Sequence, residues 1–221
     1  MHLELQAIEH TEMAEGVDSV RIHTDQGTIE GRFHAASPAA AGIVWVGGAG
    51  GGLEGPAGGM YPRLAGRLVP AGLASLLLDY RFPSLYGGCV LDTLAGIAYL
   101  GMRGVERVAL VGHSFGGAVV IAAGAHSRET AAVAALSSQL AGTEDAFRLS
   151  PRPLLLIHGE ADEVIPDWCS REIHRRARHP KELRVYRGCR HGLDECRESI
   201  ERDLSEWLLR VVASRAPAAA P

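Results

Sequence analysis

Gly112-His113-Ser114-Phe115-Gly116 follows directly on the apolar run Val108-Ala109-Leu110-Val111, and this junction restricts the fold more than any other stretch of the chain. A strand that ends in a G-x-S-x-G turn and gives way to a helix puts the serine on a sharp bend with strained backbone angles. Glycines two positions to either side let the neighbouring chain pass without a Cβ clash. The hydroxyl then stands exposed above the strand end. Downstream, Gly117 to Gly124 is small and apolar, as a helix buried against a sheet must be. A Gly-rich strand-to-helix turn also suits phosphate binding; the apolar strand before it and the apolar helix after it favour an exposed serine nucleophile.

The rest of the chain repeats that strand-then-helix grammar. Val17 to Thr24 and Thr28 to Ala35 are extended, partly alternating runs joined at Asp25-Gln26-Gly27, the pattern of an antiparallel hairpin. Beyond Gly42, strands are predicted over Ile43 to Val46, Ala74 to Asp79, Arg107 to Val111, Ala132 to Ser137, Pro153 to His158 and Leu183 to Arg187. Helices are predicted over Met60 to Ala71, Cys89 to Met102, Phe115 to His126, Asp167 to Ala177 and Asp194 to Val212. The alternation implies an α/β fold: a mostly parallel eight-stranded sheet with an N-terminal antiparallel hairpin and helices on both faces. Ligands on such sheets bind at the carboxyl ends of the strands.

With 221 residues, 47% of them hydrophobic, the chain suffices for one sizeable core. The expected organisation is an N-terminal extension at 1–16, a single domain at 17–213 and a flexible tail at 214–221. A formal charge of −4 with interspersed signs gives no footprint for nucleic acid or an anionic membrane. The basic cluster from Arg171 to Arg190 alternates with Glu172 and Glu182 and reads as a solvated face. Met1 to Gly16 carries four glutamates and no apolar run, so neither a signal peptide nor a membrane anchor is expected, and a cytoplasmic location follows. Cys89, Cys169, Cys189 and Cys196 lack C-x-x-C spacing and read as free thiols, with no metal site. The sequence leaves the oligomeric state open.

A serine hydroxyl is a weak nucleophile at neutral pH and needs a base and an orienting acid. Both follow in the chain. Leu154 to His158 is a strand that breaks at Gly159 and leads to Glu160-Ala161-Asp162-Glu163, while Tyr186 to Gly192 ends the last strand with His191. Asp162, three residues past the strand-ending glycine, is the candidate acid, with Glu160, Glu163 and Asp167 as competitors. His113 and His158 flank the motifs and read as histidines satisfied by backbone. Cys189 reads as packing.

Ser114, Asp162 and His191 stand in nucleophile, acid, histidine order. With Gly112 to Gly117, His158-Gly159-Glu160-Ala161-Asp162 followed by Val164-Ile165-Pro166, and Gly188 to Gly192, the chain resembles the α/β-hydrolases. The layout is similar to small, lidless dienelactone-hydrolase-like and carboxylesterase-like members, over nearly all of Val17 to Val212. Members with the dienelactone layout often carry a cysteine nucleophile where Ser114 stands. The resemblance implies a hydrolase of small carboxylic esters acting through an acyl-enzyme on Ser114, with a small-molecule ester as partner and no cofactor. Thioester or activated-amide hydrolysis, and a catalytically silent binding module on the same fold, are the alternatives.

Where relatives open their oxyanion loop with His-Gly, this chain has Gly47-Gly48-Ala49-Gly50-Gly51-Gly52. The resemblance makes the backbone N–H groups of Ala49 and Phe115 the candidate oxyanion donors. A flexible loop and a dinucleotide-binding turn are the other readings of the glycines. Arg81, after the strand ending at Asp79, either binds a substrate carboxylate at the mouth of the site or forms a structural ion pair with an acid such as Glu54; Arg81 and Glu54 complete the candidate substrate-binding residues. Only Ser138 to Arg152 separates two strands at the point where many relatives insert a helical lid, so an open cleft is expected.

Overall fold

In the computed structural model, which describes residues 2–39 and 41–213, the first three strands form an antiparallel meander: β1 (Leu5–Ala14), β2 (Val17–Thr24) and β3 (Gly27–His34). The chain then alternates: β4 (Ala41–Val46), α1 (Pro56–Leu68), β5 (Leu73–Asp79), α2 (Tyr86–Met102), β6 (Arg107–His113), α3 (Phe115–His126), β7 (Thr130–Leu136), β8 (Leu154–Gly159), α4 (Trp168–Arg176), β9 (Lys181–Tyr186) and α5 (Arg197–Leu208). All belong to one sheet, ordered β1-β2-β3-β5-β4-β6-β7-β8-β9. From β5 across to β9 every pairing is parallel. This is the α/β-hydrolase fold, with helices on both faces.

The eight-strand expectation is corrected to nine. Residues 1–16, read as an extension ahead of the fold, carry β1, which pairs with β2 along nearly its whole length. Most of its side chains are exposed, so no apolar alternation marks it; backbone pairing, cross-strand charges and the packing of Leu5 and Ile8 against the core hold it. Glu9 lies 3.4 Å from the Arg21 guanidinium and 3.2 Å from His23 Nε2, both on β2. The tail expected at 214–221 lies outside the described residues.

The core splits into two layers because successive residues of a strand face opposite ways. Val44, Val46, Leu76, Leu78 and Leu110 meet α2 and α3 on one face; Ile43, Trp45, Leu77, Ala109 and Val111 meet α1 and α5 on the other. Helix α3 is buried from Phe115 to Gly124, which is why it is apolar all round. On α5, Ile200, Leu204, Trp207 and Leu208 form the single buried stripe of a surface helix. Between β7 and β8 the chain makes only a short 3-10 segment at Glu144–Leu149, so no lid is built there. Among the described residues no helix is long and apolar enough to cross a membrane. The carboxyl ends of β4, β6, β8 and β9 therefore lead into the candidate residues.

Candidate active site

Ser114 occupies the single residue between β6 and α3, with φ 59° and ψ −120°. Such a left-handed conformation costs a non-glycine residue about 1–3 kcal/mol, so the surroundings must enforce it. They do so by close approach. A Cβ on Gly112 would drive into the Gly116 carbonyl, and one on Gly116 into the Gly47 carbonyl; the two glycines of the motif are required sterically. The Ser114 N–H donates to the Leu136 carbonyl at 2.8 Å, tying the bend to β7.

His191 reaches this serine from the loop after β9. Its Nε2 is 3.1 Å from Ser114 Oγ, and its Nδ1 is 2.8 Å from Asp162 Oδ2. The Asp162 side chain is fully buried, whereas that of His191 keeps 16% of its exposure. Burial alone would raise the Asp162 pKa, but hydrogen bonds from the Ile165 N–H, His191 and the Val164 N–H outweigh it and hold the carboxyl below its ordinary value. The two amides sit 2.8 and 2.9 Å from Oδ1, leaving Oδ2 to His191. Asp162 alone of the four candidate acids touches the imidazole: Glu163 accepts only the His191 backbone N–H, at 3.4 Å, and Asp167 pairs with Arg171 at 2.8 Å.

The loop of His191 is fastened at two successive carbonyls. That of His191 accepts from His113 Nε2 at 2.9 Å, and that of Gly192 from the Ala57 N–H at 2.7 Å. Ala57, Gly58 and Gly59 all have left-handed φ angles at the start of α1. The Arg63 guanidinium binds the carbonyls of Ala57 and Gly58 while pairing with Glu201 on α5 at 2.7 Å. None of these supports is a sequence motif. Arg63 and Glu201 are 138 positions apart, and nothing local marks them as partners.

The glycine run is a pinned turn. The Gly51 N–H returns to the Gly48 carbonyl at 3.0 Å, the Gly52 N–H donates to Asp79 Oδ1 at 2.7 Å, and Ser84 Oγ donates to the Ala49 carbonyl at 2.8 Å. These bonds tell against a flexible loop. No helix opens before Pro56, so the pyrophosphate geometry of a dinucleotide turn is missing. Gly48 packs beside Ser114, where a Cβ would lie 3.6 Å from the serine's own. Among the described residues, the Ala49 and Phe115 N–H groups donate to no protein acceptor.

Arg81 and Glu54 do not join this group. Arg81 is paired with Asp92 on α2, Nε to Oδ1 at 2.5 Å, both side chains being at most 2% exposed; its backbone N–H donates to the other carboxylate oxygen at 3.0 Å. The structural ion pair is thus present, with Asp92 and not Glu54 as its acid, and a guanidinium so enclosed has no face for substrate. Glu54 is exposed and lies 3.8 Å from Arg32. Asp92 was missed because it sits within an otherwise apolar helix, where the only signal is an unpaired acid on the buried face. Cys189 is fully buried, as expected of a packing residue, and burial pushes its thiol up to about 12. Among the described residues no cluster of three or more His, Cys, Asp or Glu is placed to hold a metal ion.

A protein-family model, that of the dienelactone hydrolase family, matches residues 85–208, more than half of the chain. No curated protein matches it. Among solved structures, a dienelactone hydrolase from Anabaena variabilis superposes with a TM-score of 0.77 at 18% identity, covering 93% of this chain and 99% of that one. The esterase domain of a Rhodothermus marinus protein gives 0.71 at 20% identity, covering 90% and 99%. A Xanthomonas campestris protein described as an α/β serine hydrolase without a lid gives 0.73 at 16% identity, covering 93% and 100%.

Proposed function

Since the chain belongs to the dienelactone hydrolase family, we propose that it is a serine hydrolase of small carboxylic esters, working through an acyl-enzyme on Ser114. The observation that carries the reading is the unbroken line from Ser114 Oγ through His191 to Asp162, at 3.1 and 2.8 Å. In it, His191 Nε2 takes the hydroxyl proton as Oγ attacks the ester carbonyl, then delivers it to the departing alkoxide. A water activated by the same nitrogen hydrolyses the acyl-enzyme. Asp162 keeps the proton of the resting imidazole on Nδ1, which leaves Nε2 free to act as base, and it stabilises the imidazolium that forms. The Ala49 and Phe115 N–H groups, which have no protein acceptor among the described residues, receive the negative oxygen of the tetrahedral intermediate.

The esterase and lidless serine hydrolase among the structural neighbours support the ester class. An ester asks less of the acid step than an amide, because an alkoxide leaves more readily than an amine. The test is a panel of p-nitrophenyl esters, acyl-CoA thioesters and activated amides, assayed with the native protein and Ser114→Ala. Ester turnover lost by about 10³-fold or more in the variant is expected; turnover within tenfold of native would refute the acyl-enzyme.

A further inference from the structure

Asp162 faces a second histidine. His158, near the end of β8, is completely buried; its Nε2 is hydrogen-bonded to the Ile165 carbonyl at 2.8 Å and lies 3.2 Å from Asp162 Oδ2. Both neighbours are acceptors only, so Nε2 carries the ring proton. Nδ1 is then the acceptor, and the Ser170 hydroxyl, 2.7 Å away, donates to it. Ser170 is itself fully buried on α4. The side chains Ser114, His191, Asp162, His158 and Ser170 thus form one line, two serine–histidine arms meeting on a single carboxylate. Only the first arm reaches solvent, so the second cannot attack a substrate.

We propose that His158 is a positioning residue for the orienting acid, an inference that rests on the catalytic reading of Ser114, His191 and Asp162. The geometry gives it two means of acting. By holding the Ile165 carbonyl it fixes the residue whose own N–H donates to Asp162 Oδ1 at 2.8 Å. It also packs its ring nitrogen 3.2 Å from Oδ2, the oxygen that receives His191 Nδ1–H, and so limits where that oxygen can move. Ser170 fixes the ring's orientation and tautomer, because a flipped ring would turn C–H groups to Ser170 and Ile165, and the other tautomer would aim the Nε2 lone pair at two oxygens. A carboxylate held from below in this way keeps His191 aimed at Ser114, and displacement of a catalytic group by about 1 Å costs on the order of 10²-fold in rate.

A histidine that merely fills the core would influence folding but would not act through Asp162, and a double-mutant cycle separates the two roles. The cycle compares kcat and KM for p-nitrophenyl butyrate in the native protein, Ser114→Ala, His158→Leu, Asp162→Asn and the double variant, with His158→Gln and Ser170→Ala alongside. The expected result is that His158→Leu lowers kcat about 10–100-fold with KM unchanged. In the Asp162→Asn background it lowers kcat less than about threefold, since its target is gone. His158→Gln, which restores an N–H donor, should recover most of the loss. If circular dichroism shows that His158→Leu does not fold, Ser170→Ala carries the cycle, with a smaller kcat loss that again vanishes beside Asp162→Asn. Equal losses in both backgrounds, or native kcat in a folded His158→Leu protein, would overturn the inference alone. Native protein no more active than Ser114→Ala would overturn the catalytic reading beneath it.

Discussion

His113 donates its Nε2–H to the backbone carbonyl of His191 at 2.9 Å while the two rings lie 4.8 Å apart, so the residue before the serine holds the loop that carries the histidine. Burial pushes the His113 pKa down to about 4 against the opposing pull of this hydrogen bond, and the neutral ring still donates from Nε2. Because the folded value lies below the free value of 6.5, the unfolded chain binds a proton between those limits that the folded chain refuses. The stability contributed is complete above the free value and is lost as pH falls towards the folded one. Thermal unfolding should therefore show Tm dropping more steeply between pH 7 and pH 4.5 for native protein than for His113→Gln, the native protein losing at most about 3 kcal/mol more stability over that range. Parallel curves would mean that this ring is not buried neutral.

The strained bend yields a stability prediction opposite in sign to the catalytic one. Ser114→Ala keeps a Cβ at a φ of 59° and should unfold near the native temperature, whereas Ser114→Gly should be more stable by about 1–3 kcal/mol because glycine relieves the strain. Both should be inactive. Denaturant unfolding checks this: Ser114→Gly no more stable than Ser114→Ala would mean that the bend is unstrained.

Arg81 should matter to folding and not to substrate. Removing it leaves Asp92 buried and unpaired, and burial already raises that carboxyl above its ordinary pKa. Arg81→Ala should cost about 3–5 kcal/mol, with KM of the folded fraction within about twofold of native. A KM raised tenfold at unchanged Tm would restore the substrate-binding reading.

Without a lid between β7 and β8, methylenes added to the acyl chain stay in water and contribute no binding in the transition state. Acetate and butyrate esters should give higher kcat/KM than esters of about a dozen carbons, with no jump in rate when substrate passes its solubility limit. A preference for long chains would show that another part of the molecule covers the site.

Much of this was legible in the sequence because its signals are local. The parallel strands from β4 to β8 are short, largely apolar runs buried on both faces, so their alternation with helices reads directly, and helix α3 begins and ends where the pattern places it. The three residues of the hydrogen-bonded line each follow a strand end, which is why the serine motif, position past the strand and chain order together picked them out. What escaped is held by contacts that leave no local pattern. Strand β1 pairs through its backbone with polar side chains outward; the Asp92 partner of Arg81 lies inside an apolar helix; the Arg63–Glu201 pair joins distant elements. His158 was visible, but its neighbour Ser170 comes from the next helix, so the second arm exists only in three dimensions.

The most direct measurement is labelling of the native protein with a fluorophosphonate, followed by mass spectrometry of the peptides. A serine activated by His191 should take up one phosphonyl group, on Ser114 alone, and His191→Ala should slow the labelling by at least about 10²-fold. A folded native protein that stays unlabelled, or that reacts as quickly without His191, would contradict the assignment of Ser114 as an activated nucleophile.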